Sequence, residues 1–161
     1  APDDMAWTNR DRFFLDPGHM SPLLYSLLRL AGHYTTEELQ SFRQWDSPTP
    51  GHPERDVLRG VENTSGPLGQ GHAMAVGAAI AERFLAARFG EWLTHKTFVY
   101  VSDGAIQEEI SQGASMRIGQ PGAECQHPLG GCFESVQPVL YRLRLLGVLA
   151  VNGLSGSYCR S

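Results

Sequence analysis

The chain has 161 residues, with 42% hydrophobic and 19% charged side chains and a formal net charge of −4. That length is enough for one domain with a real core. The negative balance offers no global attraction for nucleic acid, and no apolar run reaches the roughly eighteen residues that read as a membrane span.

The opening Ala1-Pro2-Asp3-Asp4 has no basic region and no apolar core, so it reads as no secretory signal. Residues 1–21 are predicted as mostly loop, with Pro17-Gly18 as a turn. Residues 23–31 form an apolar helix that stops at Gly32. Thr35 and Glu38 make a capping box that opens a second helix running to about Trp45. Residues 46–72 are a long loop, and such a loop in a compact domain is usually functional. Residues 73–89 give the best helix, with Val76, Ile80 and Phe84 marking one face, alanines for close packing and Gly90 as the stop. Residues 97–101 are a β-branched and aromatic strand ending at Ser102-Asp103-Gly104, and another helix follows from about Ala105. Helix, strand, turn and helix predict an α/β fold: a parallel sheet flanked by helices, with ligands beyond the carboxyl ends of the strands.

Residues 117–161 differ in character. They hold all three cysteines, Cys125, Cys132 and Cys159. An odd count suits a reducing, cytoplasmic location better than a disulfide framework. Cys125, His127 and Cys132 match no standard zinc spacing. The apolar stretch 136–151 carries Arg142 and Arg144 and reads as helical, then extended.

Two glycine- and proline-locked turns stand out in the long loop. Thr49-Pro50-Gly51-His52-Pro53-Glu54 precedes Gly66-Pro67-Leu68-Gly69-Gln70-Gly71, which runs straight into the best helix. The first N–H groups of a helix lack intrahelical partners and carry partial positive charge, so this start suits a phosphate. Gly66, Gly69 and Gly71 do not follow the dinucleotide pattern G-x-G-x-x-G.

These two turns, in this order and spacing, resemble the cofactor-binding half of the transketolase family. The stretch 9–25, Ser102-Asp103-Gly104 and Gln107-Glu108-Glu109-Ile110-Ser111 extend the likeness, which covers residues 7–116. The boundaries implied are a partial diphosphate-binding domain over 1–116 and a divergent tail over 117–161, left either by natural divergence or by a shifted reading frame. The resemblance implies a thiamine diphosphate-binding fold with magnesium. It implies transfer of a two-carbon ketol unit between sugar phosphates, and a homodimer.

Carried over residue by residue, the resemblance makes Asp103 the metal ligand, with Ser102 standing where the family has a first glycine. Gly104 offers backbone N–H to the diphosphate, and Gly66 and Leu68 face the pyrimidine side. His19 lies by the diphosphate. His52 points at the reacting carbons, where an imidazole can donate to a ketose hydroxyl and shuttle a proton. Glu108 joins a carboxylate network across the dimer interface. Read without the resemblance, Asp103 is a helix cap, Leu68 a core leucine, Glu108 an exposed helical glutamate, and both histidines solvated loop residues. His72 carries no assigned role, and Arg43, Arg55 and Arg59 read as solvated surface or as aids to phosphate binding.

The family's first helical segment and its pyrimidine-binding domain are expected outside this chain, while residues 117–161, where the family has its next strand and an acidic-Asn turn that completes the metal site, match neither. Asn152 is a candidate for that turn on composition only. A fragment inactive alone follows from this reading. The competing one is a non-catalytic binding or interaction module that retains the fold.

Overall fold

A computed structural model describes residues 4–119 and 148–151. Strand β1 (Arg12–Leu15) is followed by helices α1 (Ser21–Leu30), α2 (Thr36–Gln40) and α3 (Gln70–Phe89). Strand β2 (Thr97–Tyr100), helices α4 (Asp103–Gln107) and α5 (Glu109–Gly119) and strand β3 (Val148–Val151) complete the described elements. β1 and β2 pair in parallel, with Arg12 opposite Thr97 and Leu15 opposite Tyr100. β3 joins the other edge of β2 antiparallel, Val151 opposite Thr97 and Val148 opposite Tyr100.

Strand alternation sends side chains to two cores. Phe14, Val99 and Val101 pack with Ala75, Val76 and Ala79 of α3 and with Ala105. Leu15 packs on the opposite face with Leu24 and Val61, and Phe13, Leu28 and Tyr100 border that cluster. Helices on both faces of a parallel pair are the α/β layering that the chain order predicts.

Several local expectations need correction. The loop predicted over 1–21 contains β1, a four-residue strand. Nothing local identifies it, because its hydrogen-bonding partner lies far along the chain. α2 stops at Gln40 rather than near Trp45. There Ser41 Oγ and Thr49 Oγ1 both donate to the Glu38 carbonyl, and Arg43 takes a positive φ of 61°. α3 begins at Gln70, three residues before the predicted start. Its buried face is Gly71, His72, Ala75, Val76, Ala79, Glu82 and Ala86, whereas Ile80 and Phe84 are exposed. Small residues let the helix lie close on the sheet, and Ile80 and Phe84 are turned away from it. The helix expected after Asp103 is broken at Glu108, whose backbone is extended.

Candidate functional site

The end of β1 organises the long loop. Asn63 acts as a strand neighbour: its Oδ1 accepts from the Leu15 N–H at 3.1 Å and its Nδ2 donates to the Leu15 carbonyl at 2.9 Å. Ser65 Oγ donates to the same carbonyl at 2.6 Å. Both side chains are buried, so their polar groups need these partners. The next residue, Asp16, is fully buried and accepts from the N–H groups of Gly69 at 3.0 Å and His72 at 2.8 Å.

Asp16 changes the reading of the α3 start. The sequence predicts a phosphate at that helix N-terminus; a carboxylate of the chain itself sits there and satisfies the positive end. Gly71 allows it, since a Cβ there would fall 2.6 Å from Asp16 Cα.

The Thr49–Glu54 turn is tied down on every side of His52. Thr49 is buried and bonded to Glu38. Tyr25 donates its hydroxyl to the Pro50 carbonyl at 3.0 Å, and burial pushes its phenol well above the ordinary value, so the proton stays on. Ser21 Oγ donates to the Gly51 carbonyl at 2.6 Å, and the Ser65 N–H donates to Pro53 at 3.0 Å. His52 remains exposed, its ring lying beside Gly18 and Gly66. His19, next to Gly18, is also exposed, on a single helical turn over 18–20. His19, His52 and Gly66 therefore belong to one cluster.

The Asp103 turn lies on the same sheet edge, because β1 and β2 are parallel and both end there. Ser102, not Asp103, is the cap of α4: its hydroxyl accepts from the Ala105 N–H at 3.2 Å. Asp103 is exposed, and its carboxylate takes no hydrogen bond among the described residues. Gly104 meets the glycine loop, with Leu68 Cδ1 3.6 Å from where its Cβ would be. Glu108 meets it too: a Cβ on Gly69 would lie 3.0 Å from Glu108 Cβ. The glycine loop thus touches the His52 cluster at Gly66, the Asp103 turn at Leu68 and Glu108 at Gly69.

Other candidates are engaged elsewhere. Arg59 bonds Glu38 at 2.7 Å, donates to the His33 carbonyl and stacks 3.8 Å over the Tyr34 ring. Arg43 lies over Phe42 and against Gly51. Cys125, His127, Cys132, Cys159 and Asn152 fall outside the described residues. Val151, which precedes Asn152, sits opposite Thr97, at the end of β2 away from Asp103.

The sequence reading misses Asp16, Asn63, Ser65 and Ser111 as supports of the site. A carboxylate directly after an apolar run was the available signal for Asp16. Short polar residues beside glycines gave none for the others.

Among the described residues no three His, Cys, Asp or Glu side chains gather to hold a metal. A lone free carboxylate is a poor cage but suits magnesium, which takes one or two carboxylates and fills its octahedron with phosphate oxygens and water. The donor chemistry therefore fits a metal shared with a diphosphate. No helix among the described residues is long and apolar enough to cross a membrane.

Most of the chain resembles known proteins. The family model described as "Transketolase, thiamine diphosphate binding domain" matches residues 1–122. A transketolase of Streptococcus pyogenes serotype M6 is 52% identical over 118 residues, which are 70% of this chain and 16% of that protein. The solved transketolase of Leishmania mexicana matches with a TM-score of 0.68 and 50% identity, over 70% of this chain and 18% of that one. A Pichia stipitis transketolase in complex with sedoheptulose 7-phosphate matches with a TM-score of 0.65 and 42% identity, over 73% of this chain and 18% of that one. The chain thus spans about a sixth to a fifth of the relatives it matches.

Proposed function

We propose, on the premise that this chain belongs to the transketolase family through its thiamine diphosphate-binding domain, that it supplies the diphosphate-binding half of a ketol-transfer site. The reaction is transfer of a two-carbon unit between sugar phosphates, with magnesium as the metal and the cytoplasm as the setting. The observation that carries this reading is the Asp103 turn. Asp103 is free of capping duty, and its neighbour Gly104 packs on Leu68 of the loop that also reaches His52.

Thiamine diphosphate, when bound, supplies the carbanion chemistry. The chain's own residues bind and orient. Asp103 would hold the metal, and the Gly104 N–H and His19 would hold the diphosphate. Gly66 and Leu68 present backbone to the pyrimidine side. His52, held by the bonds to Pro50, Gly51 and Pro53, gives or takes a proton at a substrate hydroxyl. Glu108 joins a carboxylate network with a second subunit. The pyrimidine partner and the second metal ligand come from parts of the family's proteins that this chain does not match, so the chain alone binds weakly and does not turn over. Positioning is worth about 7–11 kcal/mol of a barrier, and half a site forgoes much of it.

A second reading, a binding module without catalysis, has one observation in its favour. β3 runs antiparallel, so Val151 lies at the end of β2 away from Asp103. Calorimetric titration of the chain with thiamine diphosphate decides between them. Binding that needs magnesium and is lost in Asp103→Ala supports the ketol-transfer site. Absence of magnesium-dependent binding leaves the module.

A further inference from the structure

The third residue of α3 does more than fill space. His72 is 1% exposed, and so is Ser111 in the first turn of α5. The His72 ring Nδ1 is hydrogen-bonded to Ser111 Oγ, while the His72 backbone N–H is held by Asp16. Ser111 in turn donates its N–H to the Glu108 carbonyl at 3.0 Å, and Gln112 donates to the same carbonyl at 3.1 Å. Glu108 is the residue at which the helix breaks, with φ −67° and ψ 138°. On its other side Gly69 approaches so closely that a Cβ would fall 2.6 Å from Ile110 Cγ2.

We propose that His72 is a positioning residue for Glu108: a buried pin that ties the start of α5 to the start of α3 and so fixes the break between α4 and α5 against the glycine loop. The functional side of this rests on the role given to Glu108 above. α3 and α5 pack against each other, and the His72–Ser111 bond ties their starts together. The bond to Ser111 satisfies one ring nitrogen. The other, Nε2, is buried with no partner among the described residues, which keeps the ring neutral because a second N–H would be buried unpaired. A neutral ring with one bond has one orientation, and that orientation is read out at Ser111.

Amide hydrogen exchange by NMR on the 161-residue chain, with no cofactor present, tests the pin. His72→Leu fills the space without the bond, and Ser111→Ala removes the other partner. Each is expected to speed exchange at Ser111 and Gln112 on the order of tenfold, the equivalent of one net hydrogen bond. Each should shift the Glu108 side-chain carbon resonance and leave the amides of β1 and β2 unchanged. The double variant should exchange no faster than either single one. His72→Asn, whose amide can reach as Nδ1 does, should restore the wild-type rate. Unchanged exchange at Ser111 in His72→Leu overturns the proposal, as does acceleration spread equally through both strands. Magnesium-dependent cofactor binding by the wild-type chain is scored separately: its absence sinks the proposed function and leaves the exchange result to decide the pin.

Discussion

Gly18 and Gly66 meet backbone to backbone: a Cβ on Gly18 would fall 2.9 Å from the Gly66 nitrogen and 3.0 Å from His52 Cδ2. The contact is a consequence of register. Asn63 and Ser65 clamp Leu15, and three residues past Leu15 the chain reaches Gly18 just where the loop past Ser65 reaches Gly66. The turn bearing His19, the turn bearing His52 and the glycine loop are thereby set against one another.

Gly18→Ala is therefore expected to push the glycine loop outward. Overpacking of this kind costs about 1–3 kcal/mol. Urea denaturation should show that loss, and titration should show weaker thiamine diphosphate binding. An unchanged urea midpoint would mean that the loop yields freely and that the contact positions nothing.

Ser102 and Asp103 should separate cleanly by measurement. Ser102→Ala removes the α4 cap and should cost about 1 kcal/mol of stability. Asp103→Ala removes an exposed carboxylate with no hydrogen-bond partner among the described residues and should change stability by less than about 0.5 kcal/mol. The same variant should abolish the magnesium dependence of cofactor binding. A large stability loss in Asp103→Ala would return it to a structural role.

The inner face of α3 can be checked against its outer face. Ala79→Leu forces a large side chain between helix and sheet and should destabilise by about 1–3 kcal/mol. Phe84→Lys, on the exposed face, should shift stability by less than about 0.5 kcal/mol. Thermal melts of the two variants side by side suffice. The opposite order would restore the Val76–Ile80–Phe84 face that the sequence suggests.

Glu82 predicts a pH effect. It is buried on α3. Burial holds its carboxyl above the ordinary value of 4.5, against lowering contributions from His95 and Arg83. The folded chain thus binds the proton more tightly than the unfolded chain. The stability this confers is present below 4.5 and is lost as pH rises through the folded value. Glu82→Gln should be more stable than wild type at pH 7 and lose its advantage in acid. His72 works in the opposite sense: burial lowers it from 6.5, despite Asp16, so stability falls as pH drops through 6.5. Urea midpoints from pH 4 to 8 for wild type, Glu82→Gln and His72→Asn resolve the two. A flat difference between wild type and Glu82→Gln across that range would show that Glu82 is not held protonated.

What the sequence determined by itself is local or is carried by motif. The capping box at Thr35 and Glu38, the stop of α1 before Gly32, strand β2 and the long body of α3 follow from short-range sterics and periodicity. The family follows from strings such as Thr49–Glu54 and Gly66–Gly71. Only the tertiary structure decided the rest. β1 exists because β2 is there to pair with it. The start of α3 is closed to an anion because Asp16, just past the end of β1, fills it. The alanine face of α3 won the interior because the sheet rewards close approach more than side-chain size. The break at Glu108 is held by Gly69 and by Ser111, which His72 bonds. Each of these depends on partners far apart in the chain, and neither propensity nor spacing within one segment carries that information.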